Sequence, residues 1–147
     1  MEYLIGLALA SAVIGLAAGA GFDHDRSFPP AILIVIASYY VLFAIIGGST
    51  RAVAVESLVA GGFLLLAVLG FKGNPWLVLA AMVGHGVFDF FHHFLIHNPG
   101  VPGWWPGFCL AIDVLLGVWF AVLLARRSPP PLSGASVHHQ GSGDARS

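Results

Sequence analysis

Hydrophobic residues in this chain form five long runs separated by short segments rich in polar residues, glycine or proline. The runs are Glu2–Phe22, Pro29–Gly48, Thr50–Phe71, Pro75–His97 and Gly107–Ala125. Each is close to the ~20 residues that an α-helix needs to cross ~30 Å of hydrocarbon. Because backbone groups inside a bilayer must pair within their own segment, such runs can span it only as helices. The pattern predicts an all-α integral membrane protein, a bundle of five transmembrane helices.

Helix-starting and helix-breaking residues agree with these limits. Asn74 before Pro75 is an N-cap followed by proline at the first helical position, and Pro29-Pro30 can open the second helix in the same way. The stretch NPGVPGWWPG, residues 98–107, has three prolines and three glycines and cannot continue a helix. Its two tryptophans, Trp104 and Trp105, suit the membrane–water interface.

The two ends of the chain carry different expectations. Residues 1–127 are predicted to form the bundle, and the polar stretch SPPPLSGASVHHQGSGDARS, residues 128–147, a disordered tail. The first run could instead be a signal peptide cleaved after Ala20, although Glu2 is the wrong charge for such a segment. Ser11, Gly15 and Gly19 form a small-residue stripe that favours a retained, closely packed helix. A homo-oligomer packed through this helix is consistent with that stripe.

The composition supports a membrane location and argues against other classes of protein. Of the 147 residues, 58% are hydrophobic and only 9% are charged, whereas a soluble domain is nearer half apolar and a quarter charged. Membrane lipid is therefore the expected surrounding partner. No basic patch points to nucleic acid. The single cysteine, Cys109, excludes an intrachain disulfide and a cysteine-only metal site.

The placement of lysine and arginine predicts an orientation. With five spans, Arg26, Lys72, Arg126 and Arg127 lie near one face of the membrane and Arg51 near the other. Positive residues concentrate on the cytoplasmic side. We therefore expect the N-terminus outside and the C-terminus in the cytoplasm, in a bacterial inner membrane.

The fourth run concentrates ionisable residues in the stretch HGVFDFFHHFLIH, residues 85–97, with four histidines and one aspartate. At ~100° per residue, His85, Asp89 and His92 fall within ~60° of one another on a helix, and His93 lies at the edge of that face. The polar residues are therefore predicted to form a ladder along one side of the fourth helix.

Three carboxylates on three helices are predicted to reach a similar depth. Glu56 and Asp113 each lie ~9 Å from the start of their helices, and Asp89 lies ~12 Å before His97, all measured from the same end of the bundle. An ionisable side chain at membrane depth costs ~2.5–3.5 kcal/mol on insertion scales. The three carboxylates are therefore expected to face one another, together with the histidines.

Helical bundles form metal sites by bringing carboxylate and imidazole groups together on facing helices. The leading hypothesis is a divalent metal site, with zinc, iron and manganese as candidates because only N and O ligands are present. The candidate ligands are His85, Asp89, His92, His93, Glu56 and Asp113. If the protein is an enzyme, the simplest chemistry is a metal-dependent hydrolase or oxidase acting on a lipid-like or small apolar substrate. Glu56 and Asp89 are then the catalytic candidates, and Trp104 and Trp105 border the entrance.

Two other interpretations stay open. Intramembrane carboxylates also form the relays of proton-coupled carriers and channels. A hydrogen-bonded polar network that only fixes helix packing, in a non-catalytic structural protein, needs the same residue types.

Several stretches carry a resemblance. GFDHDRSFPPAILIVIASYYVLFA, HGVFDFFHH and NPGVPGWWPGFCLAIDV together resemble a family of small bacterial and fungal integral-membrane proteins catalogued as a domain of unknown function, with an HGxxDxxHH motif. The resemblance covers about residues 15–120 and implies a multi-helix membrane bundle without implying an activity. At the motif level alone, residues 89–93 are similar to half of a histidine box of membrane desaturases, and the cluster is similar to membrane zinc hydrolases of the alkaline ceramidase type.

Overall fold

The computed structural model describes residues 1–127, which form five α-helices and one short 3-10 turn at residues 22–24. The predicted disordered tail lies outside the described residues. Each helix is long and apolar enough to cross a membrane, so the predicted fold class is confirmed. The helices are α1 Glu2–Ala20, α2 Phe28–Ile46, α3 Thr50–Lys72, α4 Pro75–Leu95 and α5 Trp105–Arg127.

Local chemistry at the helix ends explains most of these bounds. α1 stops at Gly21, which adopts the left-handed conformation with φ 79°. α3 begins after Ser49, whose hydroxyl accepts a hydrogen bond from the Ala52 amide at 3.2 Å. α4 begins after Asn74, whose side-chain oxygen accepts from the Trp76 amide at 3.0 Å. The sequence therefore carries explicit start and stop signals for these three helices.

The fourth helix is shorter than predicted at its C-terminal end. It was expected to reach His97, but it ends at Leu95, and Ile96 is already extended. Pro99 disfavours a helical conformation for the residue before it, and the side chain of that residue, Asn98, is drawn into the bundle by hydrogen bonds. His97 consequently lies outside α4.

The helices form a bundle in which α4 occupies the centre. α1 packs against α5, α5 against α4, α4 against α3, and α3 against α2, while α4 also contacts α2. Close approaches occur at small residues. A side chain added at Gly6 would lie 2.6 Å from the carbonyl oxygen of Phe108, and one at Gly70 would lie 2.5 Å from the Val78 side chain. These glycines set the distances at which α1 meets α5 and α3 meets α4.

The small-residue stripe on α1 does not serve the packing predicted for it within the chain. Ser11, Gly15 and Gly19 lie outside the buried face of the helix, and nothing lies within 4 Å of a side chain added at either glycine. The packed face carries Gly6, Ala10 and Ala17 instead. The expected homo-oligomer through α1 stays a prediction.

The distribution of side chains is inverted relative to a water-soluble bundle. Large apolar residues such as Leu16, Leu58 and Phe94 are among the most exposed. The buried polar side chains in residues 1–127 lie at the centre, on or beside α4. They are Glu56, His85, Asp89, His92, Asn98 and Asp113.

Candidate metal centre

The first buried polar group, which we call the triad, consists of His85, Asp89 and Asp113. His85 and Asp89 are one turn apart on α4, and Asp113 comes from α5. Nδ1 of His85 lies 2.8 Å from Oδ2 of Asp113 and 3.4 Å from Oδ2 of Asp89. One potential ligand atom from each residue lies within 4.8 Å of the others, and all three residues are buried. Three metal-ligating groups therefore surround one point in the interior.

Asp89 is the residue of the triad with the fewest hydrogen bonds. Its side chain is 0% exposed, and neither carboxylate oxygen has a hydrogen-bond partner among the described residues. A buried charged group without partners is strongly unfavourable. The site accordingly requires a proton or a metal cation next to Asp89.

The second buried polar group, which we call the dyad, consists of Glu56 on α3 and His92 on α4. Nε2 of His92 lies 2.7 Å from Oε1 of Glu56. The same oxygen accepts a hydrogen bond from the Asn98 amide at 2.9 Å, and that amide also donates to the Tyr40 carbonyl at 3.0 Å. Asn98 is therefore the residue that joins the α4–α5 loop to α2 and α3.

Aromatic rings fill the space between the triad and the dyad. The Tyr40 ring stacks on His92, with centroids 4.1 Å apart, and its centroid lies 6.2 Å from that of His85. Phe88 lies edge-on to both Tyr40 and His92. The Tyr40 hydroxyl is buried and has no hydrogen-bond partner in the described part of the chain. Tyr40 therefore runs alongside the α4 ladder between the two groups.

The structure divides the six predicted site residues into three sets. His85, Asp89 and Asp113 come together as the triad. Glu56 and His92 come together as a separate pair. His93 is exposed and packs against Phe94, with ring centroids 3.7 Å apart. The triad does not include Glu56, whose carboxylate bonds His92, two turns beyond His85 on α4.

Sequence reasoning missed the role of Asn98. It treated residues 98–107 only as a helix-breaking connection, because asparagine before proline is a common turn signal. An asparagine next to a polar helix face at the edge of a membrane span was the available signal for a buried hydrogen-bonding role.

The triad can hold a metal ion with an open coordination position. Imidazole nitrogen and carboxylate oxygen suit zinc, iron and manganese. Three protein ligands with one position left for water are typical of catalytic sites, whereas structural zinc sites use four. The triad therefore has the composition of a reactive metal centre.

Comparison with protein-family models, with curated proteins and with solved structures gave no match. The resemblance to the HGxxDxxHH membrane family therefore stays a prediction. The chemistry of the buried residues is what supports a function.

Proposed function

We propose that this protein is a membrane metalloprotein whose ion is bound by His85, Asp89 and Asp113. The observation that carries the proposal is the convergence of three buried ligand atoms within 4.8 Å, one of them on a carboxylate with no hydrogen-bond donor among residues 1–127. Two carboxylates share a single imidazole N–H, so the group has an excess of negative charge. A divalent cation neutralises that charge and supplies the missing partner of Asp89.

The spacing of the ligand atoms is compatible with this role. Ligands held ~2.0–2.1 Å from a tetrahedral ion are ~3.3 Å apart. The 3.4 Å between His85 Nδ1 and Asp89 Oδ2 is already close to this value. The 2.8 Å between His85 and Asp113 is a hydrogen-bond length, and it opens by roughly half an ångström when the metal replaces the proton.

The chemistry we propose is metal-dependent hydrolysis of a lipid-like or small apolar substrate. Bound metal lowers the pKa of water and polarises carbonyl oxygens. Asp89 would hold the ion through one oxygen, and its second oxygen could accept a proton from water activated there. Glu56 bonds His92 instead of the triad, so we assign it to holding His92 in position.

Elemental analysis of gently purified protein tests the metal centre. The protein is extracted in mild detergent without chelators, and zinc, iron and manganese are measured per chain. We expect about one ion per chain in the wild type and at least a tenfold loss in both Asp89→Asn and Asp113→Asn.

His93→Gln provides the matched control, because His93 lies on the same helix but is exposed. Its metal content should equal that of the wild type. A wild-type protein that stays metal-free after equilibration with each of the three ions overturns the proposal and favours a structural polar network.

A proton-coupled carrier is the second candidate, and one observation favours it. The Tyr40 hydroxyl and Oε2 of Glu56 are both buried without a hydrogen-bond partner within residues 1–127, and the Tyr40 ring lies near both His92 and His85. Such groups can take up and release protons. The test is a proton flux in liposomes that disappears in Glu56→Gln, and absence of flux across a range of pH gradients refutes it.

A further inference from the structure

Two cavities lie side by side along the contact between α4 and α5. The first, which we call the loop-end cavity, has a volume of about 460 Å³ and lies where α4 ends and α5 begins. Its polar walls include Glu2, His92, His93, His97 and Asn98. The second, which we call the lateral groove, has a volume of about 310 Å³. Its walls include Val83, Val87, Val114, Val118, Gly86 and Gly117.

The two cavities meet at one residue. Leu110 on α5 lines both of them. The walls are polar at the end of the bundle and apolar along its side. An amphipathic molecule can therefore occupy both, with its polar part in the loop-end cavity and its chain in the groove.

The lateral groove also reaches the triad. Asp113 is one of the residues that line it. A side chain added at Gly86 would lie 3.3 Å from Cβ of Asp113, so this glycine lets α4 and α5 approach closely beside Asp113. The walls also carry valines, of which Val83 and Val118 are more than half exposed. Asp113 is thus the polar residue in a groove that otherwise offers hydrocarbon.

The dimensions agree with one acyl chain. From Leu110 to Ala121, the last residue of α5 that lines the groove, eleven residues of helix rise ~17 Å. One leaflet of hydrocarbon is ~15 Å thick. The groove therefore has the length of one leaflet, with the loop-end cavity at the headgroup level.

The residues of the loop-end cavity select the headgroup. Among the residues that line the two cavities, none is lysine or arginine. His93 and His97 are exposed, and their imidazoles offer hydrogen bonds. This chemistry suits a hydroxyl-bearing, uncharged headgroup better than a phosphate, which proteins bind with arginine or lysine.

We propose that the α4–α5 contact binds a neutral glycerolipid, with its hydroxyl headgroup in the loop-end cavity and one acyl chain in the lateral groove beside Asp113. The inference deepens the proposed function, on which it rests for its catalytic meaning, because it names the substrate class of the metal centre. Binding of the lipid itself requires no metal. His93 and His97 line the loop-end cavity, whereas neither Trp104 nor Trp105 lines either cavity.

Photolabelling tests the proposal. The probe is a monoacylglycerol with a diazirine in its acyl chain, added to full-length protein in phosphatidylcholine vesicles. After irradiation, mass spectrometry should locate the label on the valines of the lateral groove. Unlabelled monoacylglycerol should compete at least fivefold better than phosphatidylglycerol. Label spread evenly over the exposed faces of all five helices, or equal competition by the two lipids, overturns the proposal.

Substitutions in the groove sharpen the test. Gly117→Leu fills the groove, since the nearest side-chain atom to an added Cβ is 4.0 Å away. It should reduce groove labelling at least fivefold. Gly62→Leu makes the same change on the exposed face of α3, with nothing within 4 Å, and should leave the labelling unchanged. If Gly117→Leu does not fold, Val118→Trp blocks the groove from its exposed rim and should give the same loss.

The metal centre and the lipid site can fail separately. Labelling is repeated with Asp89→Asn, which removes a triad ligand that does not line the groove. Localised labelling in this variant supports the lipid site whatever the metal analysis shows. Stoichiometric metal combined with unlocalised label refutes the lipid site and leaves the metal centre standing.

Discussion

The triad and the dyad differ in the supply of hydrogen-bond donors to their carboxylates. In the triad, one imidazole nitrogen serves two carboxylates, at 2.8 and 3.4 Å. In the dyad, one carboxylate oxygen accepts from both His92 and Asn98. Both groups are buried on the same face of α4. Similar residues at similar burial therefore leave both oxygens of Asp89 without a hydrogen-bond donor among the described residues, whereas Glu56 has two donors on Oε1 and none on Oε2.

This difference shows why histidine–carboxylate proximity alone does not identify a metal site. A carboxylate that already has two donors loses hydrogen bonds when an ion binds, whereas Asp89 has none to lose among the described residues. The dyad instead ties the α4–α5 loop to α2 and α3 through Asn98. We therefore expect the triad to respond to metal and the dyad to respond to changes in packing.

The largest expected effect separates the two groups by metal-dependent stability. Saturating zinc or manganese at about 1,000 times the dissociation constant should stabilise the wild type by about 4 kcal/mol over chelator-treated protein. Asp113→Asn should abolish this stabilisation, and Glu56→Gln should keep it. Thermal unfolding in detergent, followed by size-exclusion chromatography, measures the difference. A loss of the metal-dependent stabilisation in both variants would indicate that the triad and the dyad form one metal site.

Removal of the Asn98 amide should give the next largest effect. Asn98→Leu removes one hydrogen-bond donor from the Tyr40 carbonyl and one from Glu56, so we expect a loss of roughly 2 kcal/mol. Metal content should stay near that of the wild type, because Asn98 does not contact the triad. Thermal unfolding and elemental analysis on the same preparation check both statements. Metal lost with no change in stability would contradict this assignment.

A double-mutant cycle measures the energetic coupling between the triad and the dyad, which Tyr40 separates. Asp113→Asn and Glu56→Gln are compared singly and together in chelator-treated protein. Because the two residues bond different histidines, we expect their effects on stability to add to within about 0.5 kcal/mol. An interaction energy above about 1 kcal/mol would instead support a connected relay and the carrier hypothesis.

The smallest expected effect concerns His93. His93→Gln should change stability by less than about 0.5 kcal/mol, because the side chain is exposed and lies outside both groups. Its metal stoichiometry should also be unchanged. A clear loss of metal in this variant would return His93 to the ligand set that the sequence predicted.

The helices could be predicted from the sequence almost completely. Their number and approximate bounds follow from runs of apolar residues, and caps such as Ser49 and Asn74 mark where helices begin. The face of α4 that carries His85, Asp89 and His92 follows from helical periodicity. These features depend on residues near one another in the chain, which is why sequence alone is sufficient.

The partner of each histidine depended on the tertiary structure. The helical rise predicted similar depths for Glu56 and Asp113. It did not predict which turn of α4 each residue would contact. That outcome follows from how closely neighbouring helices approach, for example at Gly70 and Gly86, and from the extended residues that bring Asn98 inside. The sequence by itself determined a membrane bundle with a polar face on its fourth helix. Only packing between helices separated that face into the triad, in which Asp89 lacks hydrogen-bond donors, and the dyad, in which Glu56 has them.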